Sequence, residues 1–131
     1  MKKMLKKEEL YLYHNIHGQQ VRGAHNKIYG DSSKIYGDVS QIIGNVSEIK
    51  GYISGIRGNV SLISGYVSGI RGNVSGIKGD VSLISGYVSG IRGNISQISG
   101  IVSGIRGNLD ECEISDQERV NGIDIKDLIG E

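Results

Sequence analysis

The residues able to do chemistry in this chain are few. Three histidines, His14, His17 and His25, crowd one end, and Cys112 is the only cysteine. His14-x-x-His17 has a spacing two metal ligands can share, but no carboxylate or cysteine accompanies it nearby. A hexapeptide-helix acyltransferase would set a histidine beside a coil cleft, whereas these three have no obvious partner. No nucleophile and base stand at a plausible spacing. No catalytic residue, cofactor or metal ligand is therefore assigned, and the chain is read as a non-enzyme. A lone cysteine allows no intrachain disulfide and does not indicate a redox compartment.

The groups that recur are basic and aromatic. Lys50, Arg57, Arg71, Lys78, Arg92 and Arg106 share one position of a repeat, and stacked cations are candidate polyanion-binding residues. Interleaved acids and the lack of a continuous aromatic-basic stripe argue against nucleic acid without excluding it. Tyr52, Tyr66 and Tyr87, with Ile43 and Ile101, are candidate interface residues, since tyrosine offers a large rigid area with a polar tip. Ice binding would want a ladder of threonine, and the chain has none.

What must position these side chains is a seven-residue unit, Gly-x-Val/Ile-Ser-x-Ile-x, repeated from Gly37 to Asn108. Such a period governs every other reading. Its apolar residues, as in Val60, Ile63, Val67 and Ile70, have heptad spacing. A coiled coil is nonetheless excluded, because each unit carries a glycine, costing about 1 kcal/mol against alanine in a helix, plus serine and β-branched residues. As strand, Ile70, Gly72 and Val74 face one way while Arg71 and Asn73 face the other. Ser75-Gly76 breaks the alternation and marks a corner, glycine there permitting unusual backbone angles. The inward glycine fits a narrow interior. The fold class is thus all-β, a parallel β-solenoid.

The segment LISGYVSGIRGN occurs at 62–73 and again at 83–94, a shift of 21. Three heptads per coil would give a three-sided solenoid. That register stacks Ile43, Ser64 and Ser85 beside Asn45, Tyr66 and Tyr87, with Lys50, Arg71 and Arg92 on another face. A two-sided coil of 14 residues remains open, and a plain duplication would also explain the identity.

Three segments follow. Residues 1–22 form a basic arm or cap with five Lys/Arg and two Glu (+3); residues 23–108 form the solenoid (+4); residues 109–131 form an acidic cap with two basic and eight acidic side chains (−6). Leu10–Tyr13 are placed to cover the first rung, because open rungs invite foreign strands. In the heptad register Cys112 falls on an inward isoleucine site, which predicts a buried thiol. Ser115-Asp116-Gln117-Glu118 is a capping box, starting a short helix that runs to about Val120 and stops at Asn121-Gly122. Ile123, Ile125, Leu128 and Ile129 would fold over the last rung. The Asn-Gly-Ile-Asp run lacks the alternating ligands of a calcium loop. No apolar run reaches the ~20 residues that span a bilayer, and no signal peptide follows the lysine-rich start.

The Gly-Asp/Asn-Val-Ser-x-Ile heptads and the tail Leu-Asp-x-Cys-Glu-Ile-Ser-Asp-x-Glu-Arg…Ile-Asp-Ile-x-Asp-Leu-Ile resemble a group of short uncharacterised phage and bacterial proteins. The resemblance covers roughly residues 23–131. It implies a phage-associated origin, hence a virion or host-cytoplasm location, and carries over no catalytic residue. The expected function is a structural or interaction module that forms homo-oligomers through flat faces or ends, with a host protein or phage structural protein as possible partner. The competing expectation is a small effector that occupies a host protein or nucleic acid through its basic rungs.

Overall fold

A computed structural model describes residues 1–130. Two strands, β1 (Leu12–Ile16) and β2 (Gln19–Arg22), form an antiparallel hairpin. Its two-residue turn, His17-Gly18, has positive φ at both positions, the arrangement that matches strand twist. Then each heptad supplies one strand: β3 (Ile28–Tyr29), β4 (Ile35–Asp38), β5 (Ile42–Asn45), β6 (Ile49–Tyr52), β7 (Ile56–Asn59) and β8 (Ile63–Tyr66). The series continues through β9 (Ile70–Asn73), β10 (Ile77–Asp80), β11 (Ile84–Tyr87), β12 (Ile91–Asn94), β13 (Ile98–Ile101) and β14 (Gly107–Asn108). After a 3-10 turn at Leu109–Cys112, helix α1 (Asp116–Asn121) leads into β15 (Ile123–Asp124) and a second 3-10 turn at Ile125–Leu128.

The strands form two parallel sheets. Sheet I runs β14-β12-β10-β8-β6-β4-β1-β2, and sheet II runs β15-β13-β11-β9-β7-β5-β3. Successive heptads therefore alternate between sheets, and two of them, 14 residues, complete a coil. This corrects the three-sided coil of 21. The reason lies in the corner. In Val46-Ser47-Glu48-Ile49 the Ile49 N–H donates to the Val46 carbonyl at 3.0 Å. A turn closed by that bond reverses the chain, whereas a triangular coil needs a shallower bend. The 21-residue identity relates β8 to β11 on opposite sheets, so it is a similarity of sequence without a structural period.

Isoleucine from each strand and valine or isoleucine from each strand end fill the space between the sheets. Ile42, Val46, Ile53, Val74, Ile77 and Ile98 are essentially fully buried. Each such side chain contributes roughly 1.5–3 kcal/mol by leaving water. With no Phe or Trp in the chain, this aliphatic stack is the core.

Neighbouring strands are slipped. Ile42 lies opposite Gly58 and Ile56 opposite Gly72, 16 residues apart (58 − 42), two more than the coil. Along most of the solenoid the slip leaves the N–H after the strand glycine without a strand partner, and a serine takes it; for Asn94 the acceptor is Asp110 Oδ1 at 3.1 Å. The Tyr52 N–H donates to Ser68 Oγ at 2.6 Å, Asn59 to Ser75 at 3.0 Å and Asn73 to Ser89 at 2.6 Å. Where Asn or Asp stands two residues before it, that side chain accepts from the serine's own N–H, as Asn73 Oδ1 from Ser75 at 2.9 Å. Serine is thus the link between rungs as well as a corner residue.

The strand glycine has a different reason from the narrow interior the sequence suggests. Gly72 has φ +102°, and a Cβ there would lie 2.5 Å from Ser89 Oγ and 3.2 Å from the Tyr87 ring. Corner glycines do not have positive φ at Gly55, Gly76 or Gly90. They lie instead beneath the stems of Arg71, Arg92 and Arg106, whose Cγ atoms would be 3.1–3.3 Å from an added Cβ.

The ends are closed differently. At the N-terminal end His14 is buried and its Nδ1 donates to the Gly23 carbonyl at 2.7 Å. His25 occupies a valine site, donating from Nε2 to the Val39 carbonyl and accepting at Nδ1 from the Lys27 N–H, the pattern of the neutral Nε2–H tautomer. At the other end the capping box is complete, Ser115 and Glu118 each taking the other's N–H, with Gly122 as the C-cap. Arg119 donates to the Ser96 and Asn94 carbonyls at 2.7 and 2.9 Å, tying α1 to the corner between β12 and β13. Cys112 is exposed, contrary to the heptad register, because the chain leaves that register in the 3-10 turn and Ile125 fills the core there.

Gly72→Ala should destabilise the protein by about 2–4 kcal/mol, from strained φ plus the clash with Ser89. Gly69→Ala, at a corner where an added Cβ meets only Ser85 Cβ at 3.7 Å, should be neutral or stabilise by up to about 1 kcal/mol. Urea denaturation midpoints compare them directly; equal losses would contradict the assigned roles.

Candidate functional site: the two outer sheet faces

Because inward positions are filled by the core, side chains available for recognition come from the two outward positions of each strand. The first carries Lys, Arg, Tyr, Ser or Ile, and the second carries Asn, Asp, Tyr or Ile. The second position is tied to the rung bonds. Asn or Asp there turns its Oδ1 back to the serine N–H, and the same oxygen covers the glycine of the preceding rung. Where tyrosine replaces it, the ring covers that glycine: Tyr52 over Gly37, Tyr66 over Gly51, Tyr87 over Gly72. These rings cover the backbone while remaining about half exposed.

The two-sided coil redistributes the candidate interface residues. Tyr52 and Tyr66 lie on sheet I; Ile43, Tyr87 and Ile101 lie on sheet II. Tyr66 and Tyr87 are thus not on one face with Ile43, as the three-sided register required. Instead sheet I gathers residues the sequence reading left out. The Tyr11 carbonyl accepts from the Gly37 N–H, Tyr13 is paired with Asp38, and Tyr36 is paired with Tyr52. Tyr11 and Tyr13 have ring centroids 5.9 Å apart; Tyr36 and Tyr52, 5.6 Å. Arg22 from β2 lies 4.3 Å over the Tyr11 ring and is ion-paired with Glu9. Five of the seven tyrosines, residues 11, 13, 36, 52 and 66, therefore occupy one half of one face. The signals are present in the sequence: LYLY alternates once its Leu12 is placed inward, and Tyr36 sits in the outward column that also holds Lys50, Lys78 and Arg92.

The basic residues divide as well. Lys50, Lys78, Arg92 and Arg106 follow the sheet I side, and Arg57 and Arg71 the sheet II side. Arg71 and Arg92 do not share a face. None of the six is in an ion pair among the described residues, whose ion pairs are Arg22–Glu9 and Lys126–Asp124. Arg57 and Arg71 line one open groove with Gln41, Ser54 and Tyr87, and Asp38 at its edge is occupied by Asn15 and Ser40. The Tyr87 phenol is held below the usual tyrosine range by hydrogen bonding to Ser89 and then by the Arg57 guanidinium. On sheet I, the Ser82 hydroxyl and N–H hold the Asp80 carboxyl below its ordinary range.

His14 and His17 are not brought together. His14 faces inward, with its ring centroid 5.7 Å from that of His25 in an edge-on arrangement, while His17 is exposed in the hairpin turn. Among the described residues no group of three His, Cys, Asp or Glu is placed to hold a metal ion. No helix of the described residues is long and apolar enough to cross a membrane. No protein-family model matches the chain, and no curated protein or solved structure is significantly similar to it.

Proposed function

We propose that this protein is a non-enzymatic, phage-related structural module, working in a virion or host cytoplasm, that associates with copies of itself through the tyrosine-bearing half of sheet I. The observation that carries this reading is the concentration of five tyrosines on one half of sheet I, with Tyr52 and Tyr66 lying across the glycines beneath them. A rigid ring fixed by its own backbone loses little side-chain freedom on contact, which is why tyrosine is favoured at interface centres. Two such faces related by a two-fold axis would bury the same patch on both partners.

The repeat itself supplies the best test. Asn occupies the position of Tyr52 and Tyr66 in other rungs, where it adds a bond to serine. Tyr52→Asn with Tyr66→Asn should therefore keep the fold while raising the self-dissociation constant at least about 100-fold. Light scattering across a dilution series reads this. A monomer at all concentrations before substitution, or an oligomer unchanged by it, would overturn the reading.

A second reading, an effector that holds a host polyanion such as nucleic acid, is favoured by Arg57 and Arg71, two guanidinium groups in one groove without an ion-paired acid. On this reading Arg57→Glu with Arg71→Glu weakens binding of a single-stranded oligonucleotide about tenfold or more at low salt. Fluorescence anisotropy that detects no binding by the unsubstituted protein at low salt would remove it.

A further inference from the structure

Sheet faces are one route to assembly; the two ends of the solenoid supply another, and this inference rests on the self-association reading above while using different residues. Residues 1–7, Met-Lys-Lys-Met-Leu-Lys-Lys, place apolar side chains at i, i+3 and i+4 and lysines at every other position. The arm has no regular secondary structure in the free chain; wound into a helical turn on docking, it would present one apolar stripe facing away from four cations. Met1, Met4 and Leu5 are almost wholly exposed, and Lys2, Lys3, Lys6 and Lys7 have no ion pair among the described residues. The segment has nothing of its own to pack against.

The opposite end has the complementary surface. Beyond β14 the chain leaves an open groove lined by Ile91, Ile105, Leu109, Cys112, Ile125 and Leu128. Glu111 and Arg106 both stand at its wall; Ile91, Leu109 and Ile125 are themselves buried, and Ile129 is more than half exposed. The carboxylates of Glu111, Glu113, Asp116 and Asp127 take part in no ion pair among the described residues, in a segment of net charge −6. At this end the 3-10 turns pack on β12 and β13, and Arg119 of α1 bonds the Asn94 carbonyl.

We infer that the basic arm of one copy docks in the apolar groove of the acidic C-terminal segment of the next, joining solenoids head to tail. An apolar helical stripe laid in a groove is a common mode of recognition, here with opposite charges around it. The arm cannot serve its own groove in the same way. Six strand spacings separate β1 from β14 in sheet I, roughly 29 Å at ~4.8 Å each. Met4 is seven residues before the anchored Tyr11, at most ~25 Å of fully extended chain and far less as helix. A contact between unlike ends is heterologous, so it propagates as a row of copies unless the geometry closes a ring.

Cys112 makes the test direct. A chain carrying Met4→Cys and Cys112→Ser is mixed one to one with the unsubstituted chain and oxidised, so no molecule can link to itself. The disulfide joining position 4 of one chain to Cys112 of the other should exceed the statistical mixture at about 0.01 M salt, where charges act over roughly 30 Å. It should fall about tenfold at about 1 M, where they act over roughly 3 Å. Peptide mass spectrometry identifies the linkage. Glu111→Lys with Glu113→Lys should abolish the excess. A statistical mixture at both salts, or an excess that survives the charge reversal, would overturn the inference. In a Tyr52→Asn, Tyr66→Asn background the excess should persist; its loss there would show that the ends meet only as a consequence of the faces, and would also overturn it.

Discussion

The two-residue slip between rungs is the constraint from which the other features follow. It strands one backbone N–H per heptad outside the ladder, and the serine hydroxyl of the next rung accepts it. An unpaired amide at that place would cost about 1–3 kcal/mol, repeated at every rung. The same hydroxyl sits where a glycine Cβ would be, so serine and glycine are required together. The Asn or Asp that holds the serine N–H completes the set. A heptad that preserves Gly, Asn and Ser at fixed spacing is therefore a description of hydrogen bonds between rungs, and Ile and Val supply the apolar stack between the sheets.

That constraint also limits what the surface can say about function. Arg71, Arg92 and Arg106 cover corner glycines with their stems, and tyrosines cover strand glycines, so both residue types have local structural work on each rung. Function must be sought where the pattern departs from local need. Asn serves the second outward position as well as Tyr does, so Tyr52 and Tyr66 there, joined by Tyr11, Tyr13 and Tyr36 on sheet I, are an excess that the fold does not demand. The arm lysines and the far-end carboxylates, without ion pairs among the described residues, are a second excess.

Much of this architecture is legible in the sequence. Alternation in Ile70-Arg71-Gly72-Asn73-Val74 assigns strand, inward face and corner, and Ser115–Glu118 announces α1. Coil size is not legible in the same way, because period-two alternation is silent about how sharply Ser-Gly bends. The reversing Val-to-Ile hydrogen bond decides it, and the 62–73 and 83–94 identity pointed elsewhere. The misplacement of Tyr66 with Tyr87 and of Arg71 with Arg92 follows from that one error. The heptad register misplaces Cys112 for another reason: extrapolating a register assumes the chain stays in it, and Leu109–Cys112 leaves it. The His14–His25 plug and the hairpin are not legible in the repeat because neither follows the heptad.

The claim on which face assignments, slip and proposed contacts all depend is the two-sided coil. It can be tested by disulfide capture in a Cys112→Ser background, comparing two double substitutions. Ser64→Cys with Asp80→Cys pairs adjacent positions in sheet I, at a separation of roughly 5 Å that suits a disulfide. Ser64→Cys with Ser85→Cys pairs positions on opposite sheets, which a 21-residue coil would instead stack side by side. Rapid intramolecular oxidation of the first pair and none of the second is the predicted result. Efficient closure of the second pair, with the first left reduced, would contradict the account.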